Sequence, residues 1–572
     1  MSRRSLPVRF RTPFASFALL AALAANARAG GSGAVCALGE TSLPSSTPNV
    51  GDRYGLEVRF EGTTAAVGAY LDDGVVADAG AVHLQRFDGV GWTHEAKVVA
   101  ADGAAQDGFG VGVAIDGDTL LVGAPFDNAA GTVSGSAYVF VRSGSQWTQQ
   151  AKLVPAGLAG DQHLGISVAL DGDTAALGTN DSPGAVYVYV RSGTQWTLQQ
   201  KLTVPMPSVF GSRLALDGET LLVSDIGDSQ FGTQAGAAYV FLRVGGSWSQ
   251  EAKLGAPDGD ANFWDAFGSS LAIEGDLAVV GAVWDDQGGA NAGAAYVFER
   301  SGSSWSHGGK LLASAAAAGD LFGQSVALDA GRILVGAPGV DAAGDGAGAA
   351  YAFGIGDGGW TLRGKLVPAT TGPTAGAGSG VALHGDLALL GGPTFGLGGP
   401  PGRAWALRLG LCAEPFCAGD GSLATACPCA NWGQLGRGCE NSGGTGGALL
   451  AMAGTTFPDT AQLSSSGELQ SSLSIFLQSA NTVASGVPFG DGVRCVASPL
   501  VRLYVKHAAG GVAVAPVAGD PSITARSAAL GDPIAPGSVR TYQVYYRDPS
   551  LAFCPAPQGA TFNASSGLAI RW

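Results

Sequence analysis

A single pattern returns seven times along this chain, and any fold it adopts must be assembled from that unit. In residues 107–153 the unit reads Asp107-Gly-Phe109-Gly110, an apolar run to Ile115, the turn Asp116-Gly-Asp118, a second run to Val122, then Gly123-Ala124-Pro125, a third run ending at Arg142, and Trp147 to Leu153. The opening recurs at Tyr54-Gly55, Phe109-Gly110, Leu164-Gly165, Phe210-Gly211, Phe267-Gly268, Phe322-Gly323 and, degenerate, Ser379-Gly380. The closing Trp recurs at Trp92, Trp147, Trp196, Trp248, Trp305 and Trp360, each followed by Lys (Lys97, Lys152, Lys201, Lys253, Lys310, Lys365). The seventh copy stops after its third run, where Trp405 fills the slot held elsewhere by Tyr138, Tyr187, Tyr239, Tyr296 and Tyr351.

Each unit holds four short apolar runs rich in Val, Leu, Tyr and Phe, divided by Asp-Gly or Ser-Gly turns, which is the pattern of strands joined by tight hairpins. The 92 glycines supply turns, and 46 % hydrophobic residues supply a core, which excludes wholesale disorder. Four-stranded units of ~40–50 residues build β-propellers, because radial closure leaves few free edges. The chain is therefore expected to be all-β: a seven-bladed β-propeller over 51–410, its last blade completed by another unit or by residues 31–50.

These motifs resemble the FG-GAP repeats of the integrin α-subunit propeller, over roughly residues 50–410. The resemblance implies the propeller fold and, by analogy of fold, adhesion or ligand recognition. Some blades of that family carry a calcium loop of Asp-x-Asp-x-Asp-Gly type. Here the matching stretches Asp116-Gly-Asp118, Asp171-Gly-Asp173, Asp217-Gly-Glu219 and Glu274-Gly-Asp276 are too short for it and read as hairpin turns.

Residues 1–29 read as an export signal: Arg3, Arg4, Arg9 and Arg11, the apolar run Phe14 to Ala25, and the cleavage site Ala27-Arg28-Ala29. That run is shorter than the ~20 residues of a spanning helix, and no later segment approaches such a length. Removing the leader's five arginines takes the net charge from −15 to −20, which argues against nucleic acid and anionic membranes as partners. The eight cysteines, Cys36, Cys412, Cys417, Cys427, Cys429, Cys439, Cys495 and Cys554, are even in number and, in an exported chain, imply disulfides. Zinc is disfavoured, because Cys427-Pro-Cys429 has a single intervening residue and no histidine lies among them. Cys495 with Cys554, and Cys36 with an early C-terminal cysteine, are the expected pairs.

After a short segment at 30–50 and the repeats of 51–410, the cysteine-containing block 411–572 carries apolar runs at Ala448 to Ala453, Leu473 to Leu477, Leu500 to Val505, Val512 to Val517, Thr541 to Tyr546 and Leu568 to Trp572. Strands at these places predict a disulfide-stapled β-sandwich. The block resembles a cysteine-containing C-terminal module of exported bacterial proteins.

Because the first two strands of a blade form an antiparallel hairpin, an acid before the FG pair and one after the GAP position fall at the same end. Asp107 with Asp127 and Asn128, Asp265 with Asp285 and Asp286, and Asp320 with Asp341 would then hold calcium, with backbone carbonyls completing six to eight oxygens. The alternative is that they cap loop amides as Asx turns. The repeated Trp and Tyr read as packing between blades. Trp264 and Trp284 lie off the pattern and read as ligand contacts or loop packing. The six histidines, His83, His94, His163, His307, His384 and His507, occupy unrelated repeat positions and read as surface residues, and no nucleophile elbow accompanies them. No catalytic constellation is visible. The expectation is an exported protein, extracellular or at the cell surface with the periplasm as an alternative, that binds an extracellular protein or a polysaccharide. It would serve as an adhesion protein or a lectin-like module; the remaining alternative is a secreted carbohydrate-active enzyme built on a carboxylate pair.

Overall fold

Two-residue turns fix the strand lengths. Asp116 pairs with Thr119 across Gly117-Asp118, and Gly117 takes φ +56°, the left-handed conformation that lets a tight hairpin follow the strand twist. A computed structural model describes the chain apart from residues 1–34, 44, 47–48, 50, 90, 206–207, 259–264, 357–358, 395–400, 412, 417–424, 426, 428–430, 435–436, 454–458, 460, 490, 536–537, 549 and 551–561. The expected export signal, Trp264, Cys412, Cys417, Cys429 and Cys554 therefore lie outside the described residues.

In the first repeat, strands β2 (Val58–Glu61), β3 (Thr64–Ala69), β4 (Ala81–Phe87) and β5 (Trp92–Val98) form one antiparallel sheet in chain order. Among the described residues seven four-stranded sheets of this kind follow one another, at 58–98, 112–153, 167–202, 214–254, 267–311, 325–366 and 380–411, and the architecture is that of a β-propeller. The seventh sheet draws three strands from its own repeat. Its fourth is β1 (Val35–Leu43), antiparallel to Arg403–Leu411 with Leu43 opposite Ala404, so the N-terminal segment and not another repeat completes it.

The two glycines of the repeat have one job. A Cβ on Gly123 would overlap the carbonyl oxygen of Gly165, and the same holds for Gly281 against Gly323 and for Gly391 against Gly55. The glycine at the GAP position of six sheets thus meets the FG glycine of the next, Ser224 takes its place in the fourth, and the seventh sheet meets the first. These contacts correct the seventh opening: Gly336 abuts Gly378, which places it at Ala377-Gly378 and not Ser379-Gly380. The cores lie between sheets, as where Ala382, Leu389 and Ala404 of the seventh pack with Val58 and Val67 of the first.

Past residue 411 the chain forms a five-stranded sheet, a three-stranded sheet and a two-stranded ribbon. The six expected strands are present, and Ala413–Phe416, Gln462–Ser466, Thr482–Phe489, Gly492–Val496 and the helix Ile523–Ala529 join them. Leu450, Leu463 and Ala513 of the smaller sheet share one core with Phe476, Tyr542 and Val544 of the larger and with Ile523 of the helix. Cys427 is bonded to Cys439 with Cα atoms 5.8 Å apart, a pair the spacing did not single out. Cys495 is disulfide-bonded as well; its expected partner, Cys554, and the side chain of Cys36 lie outside the described residues.

Candidate functional site

The loops that join the second strand to the third and the fourth to the next sheet gather at one end of the sheets. There the expected convergence of acids occurs along the backbone: the Phe126 amide donates to the Asp107 carbonyl at 3.1 Å, Trp284 to Asp265 at 3.2 Å, and Gly339 to Asp320 at 3.1 Å. The carboxylates themselves are engaged locally. Asp107 accepts from the Ala104 amide at 2.7 Å and Asp320 from the Ala317 amide at 2.8 Å. Burial pushes the Asp107 carboxyl up, the Ala104 amide opposes this, and the nearby Asp127 adds to it.

The second acid of the first two sets faces a lysine, as Asp228 does in the fourth sheet. Lys152 Nζ lies 2.7 Å from Asp127, which also accepts from Ser136 at 2.5 Å and from the Tyr138 hydroxyl at 3.0 Å. Asp285 repeats this with Lys310 at 2.7 Å and Tyr296 at 2.9 Å, and Asp228 with Lys253 and Tyr239 at 2.7 Å each. Burial raises the Asp228 carboxyl, but Lys253, the Gln230 amide and Tyr239 together hold it below the ordinary carboxylate range. In the first sheet the tyrosine slot belongs to His83, opposite Val67 and fully buried, 3.5 Å from Asp72. His83 is therefore a repeat-position core residue, not a surface one.

The third member of each set points elsewhere. Asn128 Oδ1 accepts from the Val133 amide, Asp286 Oδ1 from Asn291 and Asp341 Oδ1 from Gly346, at 2.7–2.8 Å, each closing a five-residue loop. Asp341 is the counterpart of Asn128, because Val340 stands where the other sheets have Asp127 and Asp285; Asp320 and Asp341 are thus not equivalent to the other pairs. These are the Asx-type caps of the alternative reading. Among the described residues no three His, Cys, Asp or Glu side chains gather as a metal ligand set.

The repeat aromatics are committed to packing. Tyr138, Tyr296 and Tyr351 are fully buried, with Lys152, Lys310 and Lys365 over their rings at 5.0–5.4 Å. Trp147, Trp196, Trp248 and Trp305 each carry an arginine at 5.1–5.3 Å. That arginine reaches back to the preceding sheet: Arg142 donates to Thr64 at 2.8 Å, Arg191 to Thr119 at 3.0 Å, Arg243 to Thr174 at 2.9 Å and Arg300 to Thr220 at 3.1 Å. Sequence reasoning missed this latch, although its signal, an Arg closing the third run of four units, is plain.

Among the described residues, two aromatics at the loop end are exposed. Trp284 is 39 % exposed and Phe126 is 37 % exposed. They occupy one repeat position, just before the lysine-paired acid, on a backbone fixed by the hydrogen bonds to Asp265 and Asp107. The same position holds Leu71 in the first sheet and Gly339 in the sixth, so its side chain is free to vary while its backbone is not. Phe126 meets His163 edge-on at 5.8 Å. It was missed for lack of an off-pattern tryptophan's prominence; its alignment with Trp284 was the available signal.

Six stretches, 40–84, 92–140, 147–189, 196–241, 248–298 and 305–353, match the FG-GAP repeat family. The chain is an FG-GAP repeat protein. The family repeat begins one strand before the sheet: 40–84 starts inside β1 and 92–140 starts at β5. A run of FG-GAP units read in that phase leaves its first strand to the last sheet, which is where β1 sits. No curated protein matches this FG-GAP chain. Among solved structures, a chain of the mitotic checkpoint complex is similar at 12 % identity and a TM-score of 0.42, covering 71 % of this chain and 99 % of that one. PorZ, a surface component of the type-IX secretion system of Porphyromonas gingivalis, is similar at 12 % identity and a TM-score of 0.42, covering 92 % of this chain and 60 % of PorZ.

Proposed function

We propose that this FG-GAP chain is an exported binding or adhesion protein, a closed seven-bladed propeller followed by a disulfide-stapled β-sandwich, which presents its ligand surface at the loop end. The observation that carries the reading is the pair Trp284 and Phe126, exposed at one repeat position while the Tyr and Trp residues that recur in the repeat are spent on packing. Exposed aromatics on loops held by a rigid scaffold are ligand contacts. Both rings offer an apolar face, and the Trp284 indole adds an N–H at its edge, which suits the apolar face and hydroxyl rim of a sugar ring and favours a polysaccharide among the ligand classes. Export is supported by the basic and apolar leader pattern and by cysteines that pair, as Cys427 does with Cys439. No helix among the described residues is long and apolar enough to cross a membrane. The lysine-paired acids Asp127, Asp228 and Asp285 support a binding role over an enzyme, since these carboxylates are held in ion pairs.

The test is a glycan array with the purified mature protein, run with calcium and again with a chelator, beside Trp284→Ala and Phe126→Ala. A hit lost in both variants supports the polysaccharide reading. A hit that survives both removes these aromatics from the site, and silence on every glycan turns the reading to a protein ligand. A calcium-dependent hit would return the acids to a metal role.

A further inference from the structure

At two positions, one within each innermost strand and one at or just before its start, the sheets carry small residues with three exceptions. Counting back from the strand's last residue, which is Glu61 in β2 and Asp116 in Gly112–Asp116, the second position is Arg59 in the first sheet and alanine in all six others, from Ala114 to Ala382. The fourth is Glu57 in the first sheet and Arg213 in the fourth, against Gly112, Ser167, Ser270, Ser325 and Gly380. That fourth position is tight toward the next sheet: a Cβ on Gly112 would stand 2.8 Å from the Gly165 carbonyl oxygen, and the Ser167 hydroxyl donates to the Gly211 carbonyl at 2.6 Å. An arginine has no room between the sheets there. Arg213, the residue just before the innermost strand Leu214–Asp217, is accordingly exposed, and exposure beside an innermost strand faces the axis.

The innermost strands neighbour one another in order, and Gly380–His384 neighbours β2. Between β2 and Leu214–Asp217 lie two such strands one way round and three the other, so Arg213 stands across the axis from Arg59 and Glu57. The three groups feel one another: Arg213 is reached by solvent through the axial opening but enclosed by the sheets around it, and this enclosure pulls its guanidinium below the usual arginine range, Glu57 opposes this, and Arg59 adds to it. Arg59 pairs with Glu57 and donates to the Val58 carbonyl at 2.9 Å. Arg213 donates from Nη1 to the Ser212 carbonyl at 2.8 Å, and among the described residues no carboxylate forms an ion pair with it. Two guanidinium groups against one carboxylate leave a net positive charge, and most of the five N–H donors of Arg213 remain available.

We propose that the axial opening holds a small oxyanion, a phosphate-type or carboxylate group, between Arg213 and Arg59, an inference that rests on the seven-blade closure proposed above. The guanidinium fork matches the paired oxygens of such a group, and Glu57 competes with it for Arg59. Calorimetric titration of the mature protein with inorganic phosphate at fixed ionic strength, with acetate as a second arm, tests this. Saturable binding of one anion per chain is expected, weakened at least tenfold in Arg213→Gln, tightened in Glu57→Gln and unchanged in Arg408→Gln, whose arginine pairs with Asp386 at 2.7 Å. The acetate arm distinguishes a phosphate-type ligand from a carboxylate. No saturable heat with either anion, or undiminished binding in Arg213→Gln, overturns the site. Should Arg213→Gln fail to fold, Glu57→Gln decides alone: tighter binding supports the site, and unchanged or weaker binding overturns it. Closure is read separately, in the unfolding of a chain without β1, so a null titration with closure intact counts against the anion site only.

Discussion

Lys310 Nζ lies 2.7 Å from Asp285 Oδ2, beneath a loop where the sequence suggests calcium ligands. Tyr296 and Asp258 complete the surroundings of the ammonium, with Asp258 at 2.6 Å from the same Nζ. In the first, second, fourth and fifth sheets the acid after the GAP position is a structural partner of the repeat Lys, and there the two motifs, read apart in sequence, are one unit in space.

Replacing Asp285 with Ala is expected to destabilise the protein by about 1–3 kcal/mol at pH 7, less than the ~3–5 kcal/mol for breaking an isolated buried pair because Asp258 still holds Lys310. Denaturant unfolding measures it. An unchanged midpoint would mean that the pair contributes nothing.

Asp228 and Asp52 should give opposite pH signatures. Asp228 is held below its ordinary value, so its contribution is present above the usual carboxylate pKa and is lost as pH falls through the lowered one. For Asp52, burial, opposed by the Asn49 amide, pushes the carboxyl up to about 6; the folded state then binds the proton more tightly, and stability falls as pH rises from the unfolded value toward 6. Asp52→Asn, which keeps an acceptor for Asn49, should therefore stabilise by on the order of 1 kcal/mol at pH 8 and by little at pH 4. Equal effects at both pH values would contradict the assignment.

Removing β1 should unzip the seventh sheet. Leu43 is fully buried among Ala404, Leu389 and Tyr54, and its carbonyl accepts from the Tyr54 hydroxyl at 2.8 Å. Leu43→Asp buries a charge without a partner and should cost at least ~3 kcal/mol, and a chain starting at residue 45 should unfold at markedly lower temperature. Differential scanning calorimetry reads both, and a wild-type transition in the truncated chain would refute closure by this strand.

Cys427→Ser with Cys439→Ser opens a loop with a sequence separation of 12. A loss of about 2–3 kcal/mol follows from the constraint removed from the unfolded chain. It should fall on the C-terminal transition in calorimetry, leaving the propeller transition in place.

The periodicity of the sequence reached far because a propeller is built from local hairpins. The Asp-Gly turns, the four runs per repeat and the FG and GAP glycines each depend on neighbours a few residues away or on the next copy of the same pattern. The C-terminal block was less legible: Gln462–Ser466, with three serines, carries no apolar run, yet it pairs with Val512–Ala515 and buries Leu463. Its place is set by partners some fifty residues distant.

The sequence by itself determined the repeat, its strands and the small residues that let successive sheets approach, since sterics and turn chemistry act at short range. Only the tertiary structure decided what the polar residues are for. Asp127 and Lys152 belong to different strands, Arg142 latches to Thr64 in the sheet before, and β1 crosses the whole propeller domain in sequence to lie beside Trp405. Charge pairing and closure depend on distances that spacing along the chain does not encode, which is why Asp127 and Asp285, open to a metal or an Asx-turn reading in one dimension, are seen only in three to pair with lysine.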